Sequence, residues 1–308
     1  MKKFLMLFIL FITGCNSYLD ENGDYGRESG VLEVSVFGIG RADAILITTE
    51  NHVMMIDTGE NRNARNIVNY LRSQNISTID YLIITHFDSD HVGGAHMIID
   101  NLQVENIIIP NYSRESRHVE RFEDAMHRAG IEAYVLMETM WLILDDARFM
   151  INPSQLEYFS FIGDIDEDAE EQEAAFIPLG DDFSIVVSVA HGGNNFLFTG
   201  DAVANRLQEL LDNDEIMSID YDFLKVPRHG RHNRNSVAFI NAIKPRYAVI
   251  TGFCPTMHYI YYPQRSSDER VVAALEYVGA EVFFTMSIGV HVRSTGDELF
   301  VEYVDFFQ

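Results

Sequence analysis

Cysteine is nearly absent from this 308-residue sequence: Cys15 and Cys254 are the only two. The fold therefore cannot rest on a disulfide framework. Positive charge is scarce as well. Lys and Arg total 22 against 47 Asp and Glu, a formal net charge of −25. A surface so negative repels polyanions and disfavours extended nucleic-acid contact. Beyond the first dozen residues no stretch is long and apolar enough for a membrane helix, and no internal repeat recurs at a solenoid period. What is plentiful is apolar mass. At 47% hydrophobic residues the chain can build a substantial core, in one large domain or two small ones.

The amino terminus stands apart from that core. Lys2 and Lys3 precede an apolar run over residues 4–12, followed by Ile12-Thr13-Gly14-Cys15. A basic head before an apolar stretch too short to span a bilayer is the pattern of a secretory signal. Small residues before a lone cysteine resemble the bacterial lipobox, which makes Cys15 the lipidated first residue of an exported, membrane-anchored lipoprotein facing the periplasm or cell exterior. Cleavage there leaves 20 basic residues against 47 acidic, a net charge of about −27. Residues 16–29 are polar and glycine-bearing and are expected to form a flexible tether, with a single domain over 30–308. Cys254 is expected to be a small buried filler.

The densest chemistry lies in Thr85-His86-Phe87-Asp88-Ser89-Asp90-His91-Val92-Gly93-Gly94. An apolar run, Tyr81-Leu82-Ile83-Ile84, precedes it and predicts a buried strand; Ala95 to Ile99 opens a helix. Four potential ligands thus fall where a strand ends and the chain turns. His86 and Asp88 can enter one pocket from the loop, while Asp90 and His91 approach from the next element. Imidazole and carboxylate at such density suit a divalent ion such as zinc, manganese or iron. Gly93 and Gly94 allow close backbone approach behind it.

His86-x-Asp88-x-Asp90-His91 resembles the His-x-His-x-Asp-His motif of the metallo-β-lactamase superfamily, with Asp88 in the second histidine's place. That variant, followed by Gly-Gly, is similar to the metallo-hydrolase domain of the ComEC competence family. The resemblance runs from about residue 31 to 304. It implies an α+β fold, a four-layer αββα sandwich with metal loops meeting at one edge. Gly38-Ile39-Gly40-Arg41-Ala42-Asp43-Ala44 is similar to the family's Gly-Gln-Gly-Asp-Ala turn, with Arg41 at the glutamine. The resemblance makes Asp57, in Asp57-Thr58-Gly59, a residue that orients the metal loop by hydrogen bonds. It makes Asp201, in Thr199-Gly200-Asp201, a carboxylate bridging two metals, and His229, in Leu224-Lys225-Val226-Pro227-Arg228-His229-Gly230, the last ligand. Arg228 stands there at a family histidine. The implied cofactor is one or two divalent ions, zinc or manganese. His86, Asp88 and Asp201 would hold one; Asp90, His91, Asp201 and His229 the other. Asp88 hardens the first site and shifts it toward manganese or iron. A histidine that many superfamily members supply before the bridging aspartate has no counterpart; Asp181 or Asp182 stands near its place. Tyr262-Pro263 stands where the family has His-Pro, and Met286 where it has aspartate.

The remaining elements follow from pattern. Strands are expected over 31–37, 44–49, 53–57, 104–109, 131–136, 148–151, 183–190, 196–199, 223–226, 248–251, 281–285 and 290–293. Helices are expected over 65–74, 116–129, 202–211 and 269–278. His191 is expected to lie exposed at a hairpin tip. Residues 163–173 are expected to form a mobile acidic loop, since Asp164-x-Asp166-x-Asp168 lacks the glycine and distal glutamate of a calcium loop.

Lys225, Arg228, Arg231 and Arg234 fall within ten residues, with His229 and His232 and no acid among them. In so acidic a chain this suits a small anionic substrate, with Lys225 and Arg228 stabilising phosphoryl charge in the transition state. A hydroxide held by the metals would attack, and Asp90 would take up a proton. The expected activity is phosphodiester or related phosphoester hydrolysis. The alternatives are a lactone, amide or thioester hydrolase on the same scaffold, or a metal-binding lipoprotein that has lost turnover. No protein partner follows from the sequence.

Overall fold

In the computed structural model the described residues are 18–19, 25–26, 30–156, 180–255 and 267–308. Cys15, most of the 16–29 tether, Asp164, Asp166, Asp168, His258 and Tyr262-Pro263 lie outside them. A two-residue ribbon, β1 (Tyr18–Leu19) with β2 (Tyr25–Gly26), precedes the domain.

Two sheets form the centre. The first has β3 (Leu32–Val36), β4 (Ala44–Thr48), β5 (Val53–Thr58), β6 (Thr78–Ile83), β7 (Gln103–Pro110), β8 (Tyr134–Leu136), β16 (Gly289–Ser294) and β17 (Leu299–Val304), in the order 17-16-3-4-5-6-7-8. The second has β9 (Met140–Leu144), β10 (Ala147–Asn152), β11 (Val186–His191), β12 (Asn194–Phe198), β13 (Phe223–Lys225), β14 (Tyr247–Ile250) and β15 (Glu281–Phe284), in the order 15-14-13-12-11-10-9. The β-branched, period-two pattern of these segments decides which face each residue takes. Leu32, Val34, Val36, Ile45, Ile47, Met54 and Ile56 meet Phe149, Val187, Val189, Phe196 and Phe198 between the sheets.

The alternate residues face outward and are covered by helices. Leu46, Val53 and Met55 pack with α1 (Asn61–Ser73), α2 (Ala95–Asn101) and α3 (Arg117–Ala129). Val186, Leu197 and Leu224 pack with α4 (Ala204–Leu211), α5 (Asp214–Met217), α6 (Ser236–Ile243) and α7 (Glu269–Tyr277). Three apolar layers between four structural layers make the expected αββα sandwich. Local signals set the helix ends: Ser116 Oγ caps α3 at Val119 N, and Gly130 closes it at φ 69°.

Strand direction places the site. Strands β5, β6 and β7 run parallel, as do β12, β13, β14 and β15. The carboxyl ends of β5, β6, β12, β13 and β14 carry Asp57, Thr85-His86, Asp201, residues 226–230 and Thr251 respectively. Loops leaving parallel strands are where α/β sheets gather binding residues.

Some expectations need correction. His191 is 1% exposed, not solvated: its Nδ1 lies 2.7 Å from Ser294 Oγ and its Nε2 3.2 Å from Asp146. The hairpin tip is covered by the 294–298 turn, and Gly193 N donates to Gly296 O. Cys254 is half-buried rather than buried. Strands β9 and β17 and helices α5 and α6 were absent from the sequence expectation.

Candidate metal centre

Two glycines let the metal loop close on itself. A Cβ on Gly93 would collide with Ser89 O, and one on Gly94 with Thr58 O. The loop is thereby pressed onto the end of β5, where Thr58 N and Thr58 Oγ1 both donate to His91 O at 2.8 Å.

Asp57 holds the loop from below. It is 0% exposed, sits at φ 58°, and accepts from Thr85 N (2.8 Å), Thr85 Oγ1 (2.7 Å) and His91 Nδ1 (2.7 Å). These contacts fix two tautomers. Thr85 has one hydroxyl hydrogen and gives it to Asp57, so at 3.1 Å its oxygen accepts from His86 Nδ1. His86 Nε2 is then left with a bare lone pair. His91 gives its Nδ1 hydrogen to Asp57, which turns Nε2 toward Asp201 Oδ1 at 3.3 Å. His229 Nδ1 lies 2.9 Å from Thr251 Oγ1, and its Nε2 lies 3.3 Å from Asp201 and 3.4 Å from Asp90.

His86 Nε2, His91 Nε2, His229 Nε2 and Asp201 Oδ1 are all buried and without a hydrogen-bond partner. Four orphaned buried polar atoms in one place cost stability unless something fills the gap between them. Their donor chemistry fits a divalent ion. His86, His91 and Asp201 group tightly enough to share one, as do Asp90, His91 and His229, and as do His86, Asp88 and Asp181.

Of the two aspartates left open by sequence, Asp181 reaches the site. Its Oδ1 is 3.9 Å from His86 Nε2. Asp182 turns away: it accepts from Asn205 Nδ2 (3.0 Å) and Arg206 N (3.4 Å). The first site is therefore one imidazole among carboxylates, and each of its own two carboxylates faces an arginine. Arg114 binds Asp88, and Arg228 Nη2 lies 3.1 Å from Asp181.

Titration follows this geometry. Burial, with His91 adding to it, lowers His86 to about 4 and keeps it neutral. Burial and the charge of Asp201 raise Asp181 to about 7, against the pull of Arg228. His91 and His229 are held above the ordinary imidazole value: burial opposes their charge, but Asp201 outweighs it. Asp201 is driven well below the usual carboxylate range, because His229 and His91 overcome its burial. Asp90 is lowered too, since contact with His229 and the charge of His91 overcome burial.

Lys225 does not sit where a substrate contact would. It is 0% exposed, ion-paired with Asp43, and donates to Gly200 O at 2.8 Å. Burial works to lower its pKa, but Asp43 and then Asp201 outweigh it and hold the ammonium above its ordinary value. Asp43 was not singled out by sequence. It is 1% exposed, lies 3.5 Å from His229 Nδ1 and 3.8 Å from His91 Nδ1, and completes a buried network under these two imidazoles. Arg228 and His229 occupy consecutive left-handed positions, at φ 50° and 52°. Such backbone costs roughly 1–2 kcal/mol per residue and persists where the surroundings impose it. Here it turns His229 inward while Arg228 stays half-exposed.

The sequence matches the family profile of the metallo-beta-lactamase superfamily over residues 38–252. The chain belongs to this superfamily. Its members are mostly metal-dependent hydrolases, and the fold holds one or two divalent ions. ComE operon protein 3 of Bacillus subtilis is 23% identical over 265 residues, 80% of this chain. Competence protein ComA of Neisseria gonorrhoeae is 28% identical over 243 residues, 78% of this chain. The chain spans only 30% and 29% of those two proteins' lengths. Among solved structures, the metallo-beta-lactamase fold protein YhfI of Bacillus subtilis superposes with a TM-score of 0.55 at 11% identity, covering 86% of this chain and all of that one. That likeness shows the fold.

Proposed function

We propose that this superfamily member is a metal-dependent phosphodiesterase or related phosphoester hydrolase. The observation that carries the reading is the placement of Arg228: half-exposed, beside buried donors that fit one or two divalent ions. An ion bound there would lower the pKa of water and polarise a phosphoryl oxygen. His86, Asp88, Asp181 and Asp201 would hold one ion, and Asp90, His91, Asp201 and His229 the other. The oxygen-rich first set favours manganese or iron over zinc. Asp90 serves as a ligand rather than a base, because its lowered pKa makes it a weak proton acceptor. Arg228 neutralises charge on the phosphoryl oxygens as the ester bond breaks. Lys225 acts from beneath, by keeping Asp43 compensated.

The test is turnover of bis(p-nitrophenyl) phosphate against a neutral lactone, with manganese or zinc added. Removing one such charge contact costs about 2–4 kcal/mol in the transition state, roughly thirty- to a thousandfold in rate. Arg228→Ala should lose that on the diester and little on the lactone. Faster lactone turnover, indifferent to Arg228→Ala, would refute the reading. No turnover of either, with metal bound, would support a binding lipoprotein instead.

The proposed setting is the outer face of a membrane, with Cys15 lipidated. Among the described residues no helix is long and apolar enough to cross a bilayer. Cys15→Ser should abolish labelling by a radioactive fatty acid; unchanged labelling would remove the anchor from the proposal.

A further inference from the structure

The two ends of the metal loop are tied to β5, Thr85 through Asp57 and His91 through Asp57 and Thr58. Phe87 and Asp88, between those ends, are held from another element. The connection from β7 to α3, residues 111–116, brings Tyr112 and Arg114 to them. Phe87 N donates to Tyr112 Oη at 2.6 Å, and Arg114 binds Asp88. The rings of Phe87 and Tyr112 lie 5.0 Å apart. Tyr112 also stacks on Phe183, with centroids 5.0 Å apart and planes 25° apart. Phe183 ends the turn Gly180–Phe183, which carries Asp181. That turn lies against the same hydroxyl: a Cβ on Gly180 would stand 3.2 Å from Tyr112 Oη.

Tyr112 therefore touches both segments that supply the group His86, Asp88 and Asp181. His86 and Asp88 flank Phe87, and Asp181 lies two residues before Phe183. Ile185 N donates to Thr85 O, which joins the two segments one residue before His86. Tyr112 joins them again one residue after it. The ring sets the spacing between the segments. The hydroxyl pairs a backbone N–H beside Phe87, a side chain only 5% exposed, and an amide in such a place needs a partner. We propose that Tyr112 is a positioning residue of the metal centre. It fixes Phe87 N and the Phe183 ring relative to each other, and so keeps His86, Asp88 and Asp181 close enough to share one ion. The inference rests on the assignment of those three residues to the first ion and needs no assumption about the reaction. Of the second group, His91 is oriented by Asp57 and His229 by Thr251, so Tyr112 acts on one ion of the two.

Manganese titration of the full chain, followed by calorimetry and electron paramagnetic resonance, reads both ions without any substrate. His86→Ala should abolish one ion and thereby identify it as the first. Tyr112→Phe keeps the ring and removes only the hydroxyl. It should weaken that ion about ten- to a hundredfold in Kd and leave the other nearly unchanged. At manganese that fills both wild-type sites, its spectrum should change from that of a coupled pair of ions to that of an isolated one. Phe183→Leu loosens the stack without touching the hydroxyl and should weaken the same ion alone, by a smaller factor. A role in folding alone would instead weaken both ions together. First-ion affinity unchanged in Tyr112→Phe, or both ions weakened equally, would overturn the proposal. So would a single ion in wild type that Tyr112→Phe binds as tightly. Both ions retained in His86→Ala would remove the ligand assignment itself, and the positioning role with it.

Discussion

Lys225→Met should damage stability before it damages chemistry. The side chain is fully buried, and its ammonium is shared between Asp43 and Gly200 O, with Asp201 3.7 Å away. Methionine keeps the length of the side chain and removes the charge. Asp43 is then left buried without its main partner, against His91 and His229. Breaking a buried pair from one side costs about 3–5 kcal/mol, a large share of the roughly 5–15 kcal/mol that stabilises a whole domain. The two imidazoles take up some of the lost compensation, which places the expectation at about 3 kcal/mol. Asp43→Asn should cost a similar amount, and the double variant should recover at least ~1 kcal/mol, the signature of direct coupling. Urea unfolding followed by circular dichroism, in chelator so that bound metal does not mask the loss, measures all four proteins. The pH dependence has a fixed sign. Lys225 is raised above 10.5, so its contribution is complete below that pH and fades as pH climbs through the folded value. Asp43 is lowered below 3.8, so its contribution is complete above that pH and fades as pH falls through the folded value. Between those limits the coupling should be flat. A Lys225→Met protein as stable as wild type but slow only on phosphodiesters would refute this account and return Lys225 to the substrate.

Asp181→Ala should remove about one equivalent of bound manganese by elemental analysis, whereas Asp182→Ala should leave the content intact and lower thermal stability through the lost Asn205 and Arg206 contacts. Metal binding near pH 7 should release protons, because His91 and His229 are held above the ordinary value; titrations in two buffers of different ionisation enthalpy count them, and zero release would contradict the protonated state of these two imidazoles. Asp268→Ala should cost about 1 kcal/mol at pH 7 by removing the cap on α7, whose Arg270 N donates to Asp268 at 2.9 Å. Asp268 sits at about 2 when folded, held down by Arg270, so the difference from wild type should persist above pH 3.8 and shrink as pH falls toward 2.

Much of the fold was legible because strand period and helix period are local properties. Ser116 and Gly130 marked both ends of α3, and the apolar alternation marked β3 to β6. The missed elements lacked a local signal. The pattern of α6, Ser-Val-Ala-Phe-Ile-Asn-Ala-Ile, is apolar nearly all round, and Trp141 and Ile143 of β9 point apolar side chains to solvent, so neither shows a polar face. The candidate ligands on the central motif were legible because their spacing is short. Asp43 was not, because its role depends on a lysine 182 positions away. Yet one signal was present: a lone aspartate in Ala42-Asp43-Ala44-Ile45 and a lone lysine in Phe223-Leu224-Lys225-Val226. Charges that enter buried strand ends singly need each other. Charge alone drew Lys225 into the basic loop; strand alternation would have placed it inside.

The departures from the superfamily pattern form one electrostatic set. Aspartate at 88 and at 181 removes two neutral imidazoles from the first site and adds two carboxylates. Together with Asp201 they would crowd three negative charges around His86; burial first, and then the charges of Asp201 and Asp88, raise Asp181 there. The chain answers with arginine on each added acid, Arg114 at Asp88 and Arg228 at Asp181. Arg228 is itself the residue that displaces a family histidine, so a ligand-type side chain lost in one loop supplies the countercharge for a ligand gained in another. A divalent ion and these two guanidiniums compete for the same carboxylates. A metal held at the first site would draw on the charge of both carboxylates, weaken their pairs with Arg114 and Arg228, and leave Arg228 freer to turn toward an anionic substrate. Recruitment of Arg228 by metal predicts that removing the ion and removing Arg228 are not additive on phosphodiester turnover. Arg228→Ala should cost rate at saturating manganese in the otherwise unchanged protein, and almost nothing beside His86→Ala, which disables the first site and leaves the pair of Arg228 with Asp181 in place. An equal loss in both backgrounds would show that Arg228 reaches substrate independently of the first ion.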